Sequence, residues 1–573
     1  MSTFSIPNAQ GQIRQNNRSD TFGELGETFS IDLNRKFGKI FPSKKLIKVL
    51  DEDTHLAGST PEAFAIYDNK YWTITDDDAY WCSINGDPTN SANWAEETDI
   101  SSALSTGTDA VVFGGLLLLS NTGTGIYSWD GTTFSSTWAN SKFTTTSAEF
   151  KQMHVHRGGQ ETLFALSKNK VHYYNATAGE KIVELQTDLT AHCVTSGVNS
   201  VWVGTTSTSD SNAYVYEIVV GEVINVLDDA GVVLDTKPAA RNAYKVEGSA
   251  VMSIEVIDNV PYIITEKGNI QAFNGAGFST VSSFPFANTT EVIGKTAVHP
   301  KGMKLHNDSV YINISTKRRA ASATDYVENC PSGVWEFNRI TGQLHHRFSF
   351  AETDASKGSK ETSSARVAPI MVIDNEYALM LTGGEIGDTT AGMFVDTGSQ
   401  YGYFKTVEIE SATIQDAYER VYAKAKTMAS GESISVKYRT TKKDQVTVTG
   451  TLLNTTTFNT TADLSSITAD SEGTYHWEIV DIYTGKSAQV TGITNSGSTY
   501  SVTLDTAIGT AGDSIRGEFQ NWTKINGDYD STHGEVHSWG DFGVNPWIQF
   551  KVVLDGGIEM RQLLVKSNAK NEV

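Results

Sequence analysis

The chain has 573 residues, with 45 Lys plus Arg against 67 Asp plus Glu and a formal net charge of −22. That length exceeds one ordinary domain and predicts two to four. The acidic balance argues against a protein held to nucleic acid by a basic face, and against an anionic membrane surface as partner.

A hydrophobic content of 39% with 10% aromatics is enough for packed cores. With 66 Thr, 49 Gly and only 11 Pro, the composition is that of strands and tight turns, so an all-β protein is expected. Cys82, Cys193 and Cys330 lie more than a hundred residues apart without CxxC or His–Cys spacing. They read as small buried hydrophobes in a reducing compartment, not as a zinc site or a disulfide framework. The N-terminus lacks the charged start and apolar run of a signal peptide. The most apolar stretch, 111–119, is about half of what a spanning helix needs.

Residues 1–45 are polar and read as an extended N-terminal arm, leading to a first strand at 45–50. From there a phrase recurs: an apolar strand, a two-residue turn, a second strand, and a third ending at Asn or Asp. It reads AFAIYDNKYWTITDDDAYWCSING at 63–86 and SIEVIDNVPYIITEKGNIQAFNG at 253–275, and returns at 303–314 and 370–381. Its turns are Asp68-Asn69, Asp258-Asn259, Asn307-Asp308 and Asp374-Asn375, residues that tolerate the positive φ of a tight hairpin. The third-strand ends align at Asn85, Asp130, Asn175, Glu217, Asn274, Asn338 and Asp396, at intervals of 45, 45, 42, 57, 64 and 58. The first three match a four-stranded propeller blade, and the others are the same unit carrying insertions, visible at 315–333 and 351–366. The spacing predicts an irregular β-propeller of six to eight blades over 46–404, first strands innermost. A string of unrelated β-sandwich modules is the competing reading.

After Phe404 the pattern changes. Residues 405–440 and 525–573 read as a β-sandwich, with a weak helical possibility at 416–426, interrupted by a small β-barrel at 441–524.

Motifs that carry chemistry are sparse. Asp76-Asp77-Asp78 and Asp51-Glu52-Asp53 lack calcium-loop spacing and read as solvated turns. His154 and His156 share a strand face, without a recognisable third metal ligand. No GxSxG, HExxH or GxxxxGK[ST] string occurs. The arginines Arg157, Arg241, Arg318, Arg319 and Arg366 do not single out a sialidase-type triad. No catalytic, cofactor-binding or metal-binding residue is therefore assigned. The run Lys317-Arg318-Arg319 stands out in an acidic protein. It reads either as a solvated loop tip or as a subunit contact to an acidic neighbour.

The strings GQIRQNNRSD at 11–20, GKI at 38–40, GVWEFN at 333–338, GYFKT at 402–406 and NWTKI at 521–525 resemble propeller-bearing virion proteins of tailed bacteriophages. The resemblance implies a non-enzymatic tail component, assembled in the host cytoplasm and carried in the virion. In nozzle-type members a homo-oligomeric ring, a hexamer among the options, prolongs the DNA channel below an adaptor. It implies neighbouring tail, adaptor or fibre proteins as partners, genomic DNA only as passing cargo, no cofactor and no membrane insertion. The reading from another class is a propeller that binds or cleaves host-surface glycans. The arm and the 315–333 loop, with Lys317, Arg318 and Arg319, are expected at subunit contacts.

Overall fold

The structure is a computed structural model. It describes the chain except residues 1, 6–24, 30, 33–38, 44–45, 51–60, 89, 106, 122, 144–149, 210–211, 228–232, 288–291, 296, 307, 316–329, 331–332, 349–365, 373–378, 385–390, 395–400, 407–408, 411–415, 442, 444, 482–485, 526, 541, 543–546 and 570–573. The chain forms two compact units, one of residues 47–328 and 363–395 and one of residues 1–46, 329–362 and 396–573. The chain is all-β, and among the described residues no helix is long and apolar enough to cross a membrane.

In the first unit, Pro61–Tyr67, Lys70–Thr75, Ala79–Ser83 and Trp94–Glu96 form a four-stranded antiparallel sheet in chain order. The same meander starts again at Gly107–Phe113, at Gln152–His156 and at Val251–Ile257. A fourth starts at Leu189–Ser196, and its last strand, Asn242–Lys245, follows an inserted hairpin of Val223–Leu227 and Val233–Pro238. Met303–His306 pairs with Ser309–Ile314. The sheet beginning with Arg366–Val372 takes its outer strand from the opposite end of the unit, because Leu46–Leu50 lies beside Ala391–Phe394.

Each of these first strands packs beside the next, and Arg366–Val372 returns to Pro61–Tyr67, so the ring closes. This is the radial arrangement of a β-propeller, which removes long open sheet edges by closure. The apolar faces of neighbouring sheets meet, as where Ala63, Trp72 and Ile74 pack with Leu117, Leu119 and Trp129. Trp72 is fully buried there, worth about 1.5–3 kcal/mol as a large apolar side chain.

The turns have the backbone that their residues forecast. Asp68 and Asn69 take φ of 50° and 54°, and Asp258 and Asn259 take 49° and 64°. Two successive positive φ values match the strand twist, and Asn or Asp adopts them at low cost. Asn307 and the pair Asp374-Asn375 lie outside the described residues.

The period marker at the third-strand ends also has a physical cause. Asn175 Oδ1 accepts the N–H groups of Thr177 and Ala178 at 3.1 and 2.6 Å. Asp130 Oδ1 accepts those of Thr132 and Thr133, and Asn274 Oδ1 those of Ala276 and Gly277. A short side-chain acceptor thus begins the turn to the fourth strand. At Glu217 the turn is replaced by residues 219–241. The longer carboxylate there accepts Asn242 Nδ2 at 2.8 Å, across the base of the inserted hairpin.

The second unit holds two facing sheets. One is ordered Ser2–Ser5, Met560–Ala569, Asp416–Ala425, Val536–Gly540. The other runs Leu25–Phe29, Tyr401–Thr406, Trp547–Asp555, Ser433–Arg439, Thr523–Lys524. Val421, Ala423, Leu563 and Val565 pack with Phe404, Val436, Val552 and Leu554 in a common core. The helical possibility at 416–426 is corrected by this sheet. Val421, Ala423 and Ala425 are buried at period two, the spacing of one strand face. Within the segment read as an extended N-terminal arm, Ser2–Ser5 and Leu25–Phe29 pair with strands of their own chain.

Val446–Asn454, Thr457–Thr460, Tyr500–Leu504, Ser487–Asn495, Glu478–Asp481 and Ser514–Gln520 close into a barrel. Leu452, Phe458, Ile479, Val502 and Phe519 fill it.

Candidate functional site

The first strands of a ring leave backbone groups facing the axis, and something must satisfy them. Residues 297–304, which lead into Met303–His306, contribute to this here. Ile370 N–H donates to Lys301 O at 3.1 Å, and Ser253 Oγ donates to Pro300 O at 2.8 Å. Lys301 Nζ donates to the Asp109 carboxylate, whose oxygens also accept Ala110 N–H at 2.8 Å and Met153 N–H at 2.5 Å. His299 Nε2 stands 3.9 Å from Glu62, and Lys304 Nζ 3.0 Å from Glu255. Gly107–Phe113 packs beside Pro61–Tyr67 and Gln152–His156, whereas Met303–His306 packs beside Val251–Ile257 and Arg366–Val372, so Lys301 spans the axial space to reach Asp109.

Asp109 is fully buried. Burial raises its carboxyl above the ordinary value, while Lys301 and the two amides oppose that rise. All three close neighbours are donors, so an added proton would face a donor and the ionised form is the one the geometry accommodates.

Around this pair stand three imidazoles on different segments. Burial, reinforced by Lys301, pushes His154 and His299 down to about 3, and burial with Lys151 pushes His192 down to about 4. His154 Nε2 lies 2.7 Å from Ser196 Oγ. An imidazole with so low a proton affinity is a poor general base for that hydroxyl, so the contact is a positioning hydrogen bond. The expected face-sharing of His154 and His156 brings no metal cage with it. Among the described residues no group of three or more His, Cys, Asp or Glu could hold a metal ion.

These histidines should make the ring unit acid-sensitive. Their folded-state values lie below the unfolded value of about 6.5, so the unfolded chain binds protons first. The stability is fully present above pH 6.5 and is lost as pH falls from there toward 3–4. His154 and His192 keep some solvent contact, which reduces the effect. A loss of about 2–4 kcal/mol between pH 7.5 and 5 is expected from urea midpoints followed by Trp fluorescence. A midpoint that does not move would show that these groups are protonated in the folded ring.

The Asp76-Asp77-Asp78 run forms a turn in which Asp78 N–H donates to Thr75 Oγ1 at 2.7 Å. Burial and then its acidic neighbours Asp77, Glu96 and Asp76 raise Asp78 to about 6. Asp51-Glu52-Asp53 and Lys317, Arg318 and Arg319 lie outside the described residues.

Among the described residues the second unit has two buried charged centres of its own. On Leu344–Phe348, Arg347 meets Asp32 at 2.7 Å and Glu336 at 3.3 Å, with His345 3.3 Å from the same Glu336. Thr28 Oγ1 accepts the neighbouring His346 N–H, and Leu25–Phe29 and Ile31–Asp32 both lie against this strand. In the facing-sheet body, Lys405, Lys551 and Lys437 stand side by side on three adjacent strands. All three are buried. Glu478 of the barrel takes Lys551 at 2.6 Å with one oxygen and Lys437 with the other. Lys437 also donates to Ser487 Oγ, and Arg439 stacks 4.4 Å over Trp522. Like charges in one row repel, and the barrel carboxylate offsets that repulsion. Nothing in the local sequence signals these centres, because members such as Asp32 and Arg347 lie more than three hundred residues apart.

No family model matches the chain, and no curated protein matches it. Among solved structures, the computationally designed Ika8 protein is similar over 61% of this chain and 100% of its own, at 12% identity and a TM-score of 0.36. The WD40 β-propeller domain of Doa1 is similar over 59% of this chain and 93% of its own, at 9% identity and a TM-score of 0.37. BBS1N, solved in complex with ARL6DN, is similar over 62% and 98%, at 8% identity and a TM-score of 0.37.

Proposed function

We propose that this chain is a seven-bladed propeller joined to a β-sandwich with an inserted six-stranded barrel. It serves as a non-enzymatic structural protein of a tailed-phage virion, a nozzle-like tail component forming a homo-oligomeric ring around the DNA channel. The observation that supports a structural over a catalytic role is the filled axis. A propeller offers a small ligand its concave axial end, and here His299 and Lys301 of the same chain occupy that space. The buried charges at Asp109, Glu478 and Arg347 serve as clamps between distant segments, as in a scaffold. DNA would pass between copies and not through the propeller, and the −22 charge of each copy would keep it from adhering. Two measurements test the reading. Imaging of the virion should place the protein in the tail below the head. Incubation of purified protein with arylglycosides and host polysaccharide should give no turnover; turnover lost on mutating a surface carboxylate would favour the glycan-cleaving reading instead.

A further inference from the structure

Lys551 is the middle member of the buried lysine row, with Lys405 and Lys437 on the strands either side. The side chains of Lys551 and Glu478 are fully buried, and Lys437 keeps 4% of its side chain in solvent. Lys551 Nζ lies 2.6 Å from Glu478 Oε1 and 4.2 Å from the centre of the Tyr403 ring. The amine is thus held between that ring and the carboxyl group. Lys437 Nζ donates to the other oxygen, Oε2, and to Ser487 Oγ at 2.9 Å. Two amines therefore meet one carboxyl group from different strands, in a place closed to bulk water.

In water a carboxylate and an ammonium do not condense to an amide, because hydration stabilises both ions. Burial removes that hydration and makes each remaining charge costly. With both lysines protonated the three groups carry two positive charges against one negative. Burial, reinforced by Lys437 and Lys405, favours the neutral amine of Lys551 against the pull of Glu478 and brings it down to about 8. A neutral amine is a nucleophile, and a fixed contact with its electrophile raises the effective concentration of the pair. Once Lys551 is neutral, the ammonium of Lys437 remains beside Oε2 as a proton donor.

We propose that Lys551 and Glu478 condense into an intramolecular isopeptide bond that ties the barrel to the facing-sheet body. The Lys551 nitrogen attacks Cδ of Glu478, and the new C–N bond replaces the bond from Cδ to Oε2. Oε2 leaves as water, carrying one hydrogen from Lys551 and one from Lys437. A neutral amine, a carboxylate and an ammonium thus become an amide, water and a neutral amine, with atoms and charge balanced and no oxidant or further reactant. The product leaves no charge on the three buried groups. The ion pair described above is the state from which the bond forms. This inference goes beyond the tail reading and does not depend on it.

The test is the intact mass of the purified full chain over time. It should fall by one water at about pH 9, at least about tenfold faster than at about pH 6, because the neutral amine is the reactant. Proteolysis and mass spectrometry of the wild type should then give one branched peptide joining Lys551 to Glu478. Lys551→Arg should keep the mass of its sequence, and Lys437→Met should slow the loss of water at least about tenfold by removing the proton donor. A wild-type mass that stays at the sequence value at both pH values would overturn the bond. A branch at Lys437, or water lost equally fast from Lys551→Arg, would overturn the assignment of the nucleophile. The branched peptide comes from the wild type, so it decides the matter even where a variant fails to fold.

Discussion

Replacing Lys301 by Met is expected to destabilise the propeller unit by about 3–5 kcal/mol. The substitution keeps the length of the side chain and removes its charge, leaving Asp109 buried with only two amide donors. Asp109→Leu should cost less, because Lys301 keeps 26% of its side chain in solvent and can swing outward. The double variant should recover part of the loss, since no carboxylate is then left buried without its cation. Urea denaturation of the three variants forms the cycle, with a coupling of about 1–3 kcal/mol expected. Additive losses would mean that the two side chains act independently and that the axial segment is held by its backbone bonds alone. Either outcome bears on the filled axis, on which the structural reading leans.

Glu478→Gln should have an effect of similar size on the second unit, about 3–5 kcal/mol, through a different mechanism. The amide keeps one acceptor but replaces the other with a donor, which faces a lysine. Lys437 and Lys551 would then stand in one buried row with Lys405 and no carboxylate between them. Glu478 is held down to about 2 against the opposing effect of its burial, because Lys437 and Lys551 favour its charged form. Its contribution is present above the unfolded value near 4.5 and is lost as pH falls toward 2. Burial and Lys437 pull Lys551 down to about 8 in spite of Glu478. In the variant Lys551 should fall further, which NMR titration of its side-chain nitrogen would read. Unchanged stability with an unchanged Lys551 titration would show that the barrel is seated by apolar packing alone.

Much of the architecture was legible along the chain because it rests on short-range rules. Alternation at period two marks half-buried strands, and it holds at Val421, Ala423 and Ala425, whereas inner strands of the ring such as Thr162–Ser167 and Ser309–Ile314 are buried on both faces and read as short apolar runs. The Asp-Asn turns require positive φ at consecutive residues, and few residue types supply it. The recurring Asn or Asp at third-strand ends is a local acceptor for amides two and three residues on, so it survives as a ruler where the intervals stretch. The interval from Glu217 to Asn274 lengthens because a hairpin stands in place of a turn. A helix at 416–426 was suggested by Ala, Glu, Arg and Lys, which favour helices in isolation. Pairing on both edges, with Met560–Ala569 and Val536–Gly540, outweighs that preference.

By itself, then, the sequence determined an all-β chain with a repeated four-strand unit and its turns. Those features follow from side-chain pattern and backbone preference within a few residues. Only the tertiary structure decided what closes the ring and what fills it. Leu46–Leu50 joins a sheet whose other strands come more than three hundred residues later. Lys301 finds Asp109 across 192 residues, Glu478 bridges Lys437 and Lys551, and Arg347 reaches back to Asp32. Each is an ionisable group of ordinary type in unremarkable local sequence. Its partner is set by which strands the closed fold brings together, and burial then makes the pairing obligatory because an unmatched charge is costly in a low-dielectric interior.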